Sequence, residues 1–169
     1  MKTHFRTVEE NEYVNFKKDV QEILSISVIE EFGDNDEEVI SDKEIDEVLY
    51  NPNVEVYYVY IDEKKVAGVA LKIDKSTHHN SIDLLYVYPD CHSKGIGYTV
   101  WKGIEEKYPE TKVWELVTPY FEKRNINFYV NKCGFKIVEF FNKYHPYPGF
   151  NDSDSEFKED FFRFEKVMK

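Results

Sequence analysis

The chain has 169 residues with a net charge of -11, 41% apolar residues and an aromatic share of 17%. That length supports one substantial core, and so rich an aromatic content excludes a disordered chain. The negative balance excludes general nucleic-acid binding, which needs a basic footprint, and no apolar run approaches the ~20 residues that cross a bilayer.

In chain order, residues 3–7 form a short strand that runs into Thr7-x-x-Glu10, a capping-box spacing. Tyr13, Phe16, Val20, Ile23, Leu24 and Val28 then recur at three and four residues, which predicts an amphipathic helix ending near Phe32 and Gly33. Ser41-x-x-Glu44 opens a second, shorter helix that Asn51-Pro52-Asn53 ends. Residues 54–61, 66–73 and 81–88 read as a three-stranded meander, the last apolar enough to be covered on both faces. Val100, Trp101, Ile104 and Tyr108 mark a helix stopped by Pro109. A strand over 112–117 follows, and the strand–helix–strand order predicts parallel pairing. A helix over 120–133 with Gly134 as its cap, a strand over 135–141, a polar loop over 142–159 and an antiparallel last strand over 161–167 complete the order. This is an α/β chain with a mixed sheet and helices on both faces, read as one domain over residues 1–169.

Between the third meander strand and its helix lies Pro89-Asp90-Cys91-His92-Ser93-Lys94-Gly95-Ile96-Gly97-Tyr98. A strand, a glycine turn and a helix N-terminus aim backbone N–H groups at an anion, and the glycines let phosphate oxygens approach. A Walker-type site is excluded because Gly-Lys-Ser/Thr is absent. The charge is uneven: residues 30–47 hold ten Asp or Glu against Lys43, while residues 91–143 hold nine Lys or Arg against six Glu. That distribution suits an anionic ligand on the central segment and a cationic one near the acidic stretch. Two cysteines, Cys91 and Cys133, and no charged-then-apolar leader suggest a reducing, cytoplasmic setting. Cys133 reads as a small buried hydrophobe. Adjacent His78 and His79 lack the spacing of a zinc site, so no metal is expected.

Val87-Tyr88-Pro89 followed by His92-Ser93-Lys94-Gly95-Ile96-Gly97 resembles the signature of the GCN5-related N-acetyltransferase family. A second family motif, a tyrosine-bearing helix ending in Gly-Phe, is matched by the run from Asn125 through Phe128-Tyr129 to Gly134-Phe135. The resemblance covers essentially the whole chain. It implies the fold of that family, a mixed and mostly antiparallel sheet with splayed central strands, and it implies acetyl-CoA as co-substrate. Residues His92 to Tyr98 (His92, Ser93, Lys94, Gly95, Ile96, Gly97 and Tyr98) would hold the pyrophosphate. Leu85, Tyr86 and Val87 would bind the pantetheine arm through backbone groups left free where the strand splays from its neighbour near Trp114. His92 departs from the usual Gln or Arg, but its backbone N–H would still serve. Glu122 stands where many members have Asn, which leaves Asn125 as the polar contact to the cofactor.

The implied activity is direct acyl transfer to a primary amine of a small molecule or protein, through a tetrahedral intermediate. Tyr129 lies where the family places its general acid, and a phenol near pKa ~10 stays protonated to serve a thiolate near ~8.5. Asp83, Glu115 and His79 are the base candidates, and strand alternation puts Asp83 on the face of Leu85 and Val87. The acidic stretch and the 142–159 loop flank the expected acceptor entrance, with Tyr144, Tyr147 and Phe150 able to hold an amine by cation–π contact. No nucleic-acid or membrane partner is expected, and the chain is read as a monomer or homodimer. The rival reading is a non-catalytic acyl-CoA-binding sensor or interaction module.

Overall fold

The structure is a computed structural model. It describes residues 2–32, 40–92, 95–147 and 160–168. Among these residues, seven strands form one sheet in the order β1-β2-β3-β4-β5-β7-β6. They are β1 (Thr3–Thr7), β2 (Val54–Ile61), β3 (Lys64–Lys72), β4 (His79–Val87), β5 (Val113–Pro119), β6 (Lys136–Phe141) and β7 (Phe161–Val167). Strands β4 and β5 run parallel, and the other neighbouring pairs are antiparallel.

The helices α1 (Tyr13–Phe32) and α2 (Asp42–Leu49) cover one face, and α3 (Ile96–Lys107) and α4 (Lys123–Asn127) cover the other. Under α1 and α2, Phe16, Val20, Ile45 and Leu49 meet Val56, Tyr58, Ala70, Leu84 and Tyr86. Under α3 and α4, Trp101, Val100, Ile104 and Tyr129 meet Val69, Leu71, Ile82, Trp114 and Phe164. Trp101 and Trp114 are fully buried and meet edge to face, with ring centroids 5.6 Å apart. Such a pair contributes ~0.5–1.5 kcal/mol beyond its burial.

Local chemistry moves several predicted boundaries. The first cap is not Thr7/Glu10: a short 3-10 turn over Glu10–Glu12 precedes α1, and the Glu12 carboxylate accepts the Glu9 N–H at 3.1 Å. Arg6 anchors that carboxylate through a 2.9 Å ion pair. The Ser41 hydroxyl does cap α2, accepting the Glu44 N–H at 3.2 Å. Asp62 and Glu63 both take positive φ (49° and 70°), so they alone turn the β2–β3 hairpin and Lys64 already belongs to β3.

Candidate active site at the parting of two strands

Tyr88 donates its N–H across to Val66 O of β3 at 3.0 Å. With the strand period of two, the backbone groups of Leu85 and Val87 therefore point the other way, toward β5. Strand β5 pairs with β4 only at His79, Asn80 and Ser81. Beyond Ser81 the two parallel strands have no ladder between them, and Leu85 and Val87 turn their N–H and C=O groups into the gap. The Tyr86 side chain points away from it, under α1, where its hydroxyl donates to Asp19 Oδ2 at 3.3 Å. One group on the gap edge is engaged: the His92 ring Nε2 lies 2.8 Å from Val87 O and, since the carbonyl accepts, donates to it.

At the end of β4, Pro89–Cys91 make a 3-10 turn in which the His92 N–H donates to Pro89 O at 3.2 Å. The expectation that this N–H faces a ligand thus meets an amide already used, and the ring is the part of His92 that reaches the gap. Ser93 and Lys94 lie outside the described residues. Gly95 caps α3 with φ 74°, a left-handed conformation that a side chain would strain. The following amides of Ile96, Gly97 and Tyr98 have no intrahelical acceptor in a first turn, and Tyr98 stands exposed beside them. Gly97 also has a packing role: a Cβ there would lie 3.3 Å from the Phe128 ring, so it lets α3 approach the segment that carries Tyr129.

That segment departs from the predicted single helix over 120–133. Tyr120 to Glu122 form a turn, α4 spans only Lys123–Asn127, and Phe128–Lys132 widen into a π turn in which the Cys133 N–H reaches back to Phe128 O at 3.0 Å. Such turns concentrate at functional sites. Gly134 (φ 85°) then reverses the chain, and the Phe135 N–H donates to Tyr129 O at 2.9 Å. Tyr129 is 6% exposed, walled by the rings of Phe128, Phe135 and Phe164. Burial, with a smaller contribution from Cys133, pushes its phenol well above the usual value. The Cys133 thiol is itself raised to about 12 by burial, which makes it inert. Asn125 turns its amide to Glu122 Oε2 at 3.4 Å, within the same helix start.

The carboxylates stand elsewhere. Opposite β4, the β3 register runs Ala70↔Leu84 and then Leu71↔Ile82, so Asp83 is the extra residue of a bulge. The bulge resets the alternation: Ile82 packs under α3 and α4, whereas Leu84 packs under α1 and α2. Asp83 is therefore not on the face of Leu85 and Val87. It lies beside Ser81, whose hydroxyl donates to Asp83 Oδ1 at 2.7 Å, on the α1–α2 face. Walls of protein around this otherwise exposed carboxyl raise its pKa, against the lowering effects of the Ser81 hydroxyl and Lys72. Glu115 is the register partner of Ser81 and shares that face, but Arg163 holds it at 3.6 Å and also pairs with Glu139 at 2.7 Å. His79 is exposed at the start of β4.

Tyr147 comes to the same region, since the charges of Glu115 and Asp83, after burial, raise its phenol. Tyr144 carries Lys143 over its ring at 4.9 Å. Phe150, most of the 142–159 loop and residues 33–39 of the acidic stretch lie outside the described residues. Among the described residues no group of three His, Cys, Asp or Glu side chains gathers to hold a metal, and no helix is long and apolar enough to cross a membrane.

Known proteins share this fold. A model of the Acetyltransferase (GNAT) family matches residues 18–135. A protein of Bacillus subtilis (strain 168), named Uncharacterized protein YrkN, is 49% identical over 168 residues, spanning 95% of this chain and 91% of its own. Two solved structures show the same fold at low identity. An IAA acetyltransferase from Bacillus cereus ATCC 14579 has a TM-score of 0.69 at 14% identity, over 99% of this chain and 100% of that one. A Bacillus subtilis acetyltransferase in complex with CoA has a TM-score of 0.62 at 17% identity, over 99% of each chain. Matched from within α1 to the residue that follows Gly134, the chain belongs to the acetyltransferase (GNAT) family.

Proposed function

We propose that the protein is an acyl-CoA-dependent N-acyltransferase that moves an acetyl group from acetyl-CoA to a primary amine of a small molecule or protein. The observation that carries this reading is the open β4–β5 gap, with the two candidate proton-handling groups on opposite faces of the sheet. Tyr129 comes from the α3–α4 side and Asp83 from the α1–α2 side. Direct transfer uses two such groups, because the amine must lose a proton and the departing thiolate must be neutralised.

In this reading the amides of Ile96, Gly97 and Tyr98 and the end of α3 hold the pyrophosphate, with Ser93 and Lys94 from the same loop. Backbone groups of Leu85 and Val87 take the pantetheine arm as an added strand, and the His92 ring yields or shares Val87 O. Tyr129, kept neutral by burial, gives its O–H to the departing sulfur. Asp83 takes a proton from the incoming ammonium directly or through one water, and Glu115, neutralised by Arg163, shapes the same wall. The relative bound to CoA supports the choice of donor.

The test is free-thiol release from acetyl-CoA with an amine panel, run beside acetyl-CoA binding. Wild type is expected to turn over, and Tyr129→Phe to bind equally well but lose ~10²–10⁴-fold in kcat, the span of general acid catalysis. Binding without turnover by wild type would instead establish a non-catalytic sensor.

A further inference from the structure

Where β4 and β5 part, the backbone groups on the β4 edge need partners other than a strand. At Val87 the partner is the ring of His92. Strand β4 ends at Val87, and Pro89–Cys91 then fold back in a 3-10 turn, with the Cys91 N–H donating to Tyr88 O at 2.8 Å. The turn is fixed from two sides. Cys91 is buried in the core under α3 and α4, and Asp90 pairs with Lys64 at the start of β3 at 3.1 Å. The half-buried His92 side chain reaches back from that turn and sets its Nε2 2.8 Å from Val87 O. Among the described residues this is the ring's one hydrogen bond, so a side-chain rotation releases it while the turn stays in place. Val87 O faces the gap, and a donor at that distance stands in the gap with it. The imidazole N–H thus takes the place that the amide N–H of a neighbouring strand would take.

We infer that His92 sets the affinity for the acyl donor by competing with it for Val87 O. This rests on the transferase reading above, in which the pantetheine arm adds along Leu85 and Val87. An arm bound as a strand donates an amide N–H to Val87 O, from the direction that the ring already uses. The ring therefore turns away as the arm enters, and the apparent affinity is the intrinsic one reduced to the fraction of molecules whose ring is turned away. The net worth of one hydrogen bond puts that reduction at roughly two- to tenfold.

The experiment needs no turnover. Calorimetry compares coenzyme A with 3′-phosphoadenosine 5′-diphosphate, which is coenzyme A without its pantetheine arm. His92→Ala is expected to bind coenzyme A several-fold more tightly than wild type and the nucleotide equally well. His92→Gln, which restores a side-chain N–H of similar reach, should return coenzyme A to the wild-type value. In wild type, the proton resonance of the His92 ring N–H should move when coenzyme A is added and stay in place when the nucleotide is added. Weaker binding of coenzyme A by His92→Ala, or equal tightening of both ligands, would overturn the inference, since the ring would then support the donor or the turn. So would an affinity in His92→Gln equal to that of His92→Ala, because the bulk of the ring rather than its N–H would be the obstacle. Identical coenzyme A binding by all three proteins would overturn it while leaving the transferase reading intact. Failure of both wild type and His92→Ala to bind coenzyme A would remove that reading and the inference with it.

Discussion

A carboxylate that takes a proton from an ammonium at neutral pH works best when its own pKa is raised, and it must still be ionised to act. Asp83 meets the first condition through the protein walls around it, and the Ser81 hydroxyl keeps its charged form accessible. The sign of the pH dependence follows. At saturating substrates kcat should rise with pH as Asp83 ionises, through a midpoint above the usual aspartate value of ~3.9. Any loss of activity from ionising Tyr129 should fall above the usual tyrosine value of ~10, because burial shifts the phenol upward. Replacing Asp83 by Asn should lower kcat by ~10²-fold or more and remove the acid-side inflection from the kcat profile. A profile that keeps its inflection in the Asn variant would move the base elsewhere, to water or to Glu115. Replacing Glu115 by Gln offers the contrast: with Arg163 already beside it, the change should alter KM more than the shape of the profile.

At the scale of elements, legibility in the sequence tracked whether a structure is local. The β2 and β7 bounds, 54–61 and 161–167, were readable to the residue because alternation and turn chemistry lie within each segment. The tyrosine helix was not, because a π turn arises from how Phe128 and Tyr129 pack against α3 and β7, and no residue type announces it. The face of Asp83 departs from simple alternation for a related reason: a bulge is a property of two strands in register, and the sequence of one strand alone alternates without interruption. The pairing of Asp19 with Tyr86 and Tyr88 likewise joins residues nearly seventy positions apart in the chain. Tyr86 also exposes a demand on β3 that alternation hides. Gly68 is its register partner, and a Cβ there would lie 2.3 Å from the Tyr86 ring, a ring held by Phe16 on one side and by Asp19 at its hydroxyl. Gly68→Ala should therefore destabilise by ~1–3 kcal/mol, the cost of overpacking a filled site. Urea unfolding checks this through the midpoint at constant slope, and the double variant Gly68→Ala/Tyr86→Phe should recover little, since the clash involves ring carbons as well as the hydroxyl.

For the whole molecule, the net charge of -11 acts on both partners of the proposed reaction, and in opposite senses. A cationic acceptor is drawn by the overall field, whereas a polyphosphate donor is repelled by it and relies on local donors at the start of α3 to be held. Local charge works against the average here: residues 91–143 carry nine Lys or Arg against six Glu, and they include the loop and the helix that would receive the donor in the proposed reaction. The two fields differ in range. At low salt, with a Debye length of ~30 Å at 0.01 M, the whole acidic surface reaches the approaching donor; at 0.15 M, with ~8 Å, only the nearest groups do. Raising ionic strength over that interval should thus lower the KM for acetyl-CoA, as the distant carboxylates are screened while the contacts at the loop persist. The same change should raise the KM for a cationic acceptor several-fold, because its long-range attraction is lost. Initial rates at fixed pH across a chloride series, with each substrate varied in turn, measure both slopes. Slopes of opposite sign would mean that the surface as a whole sorts donor from acceptor before either reaches the gap. If both KM values rose together, the local basic segment would govern donor capture at long range as well, and the acidic surface would have no part in it.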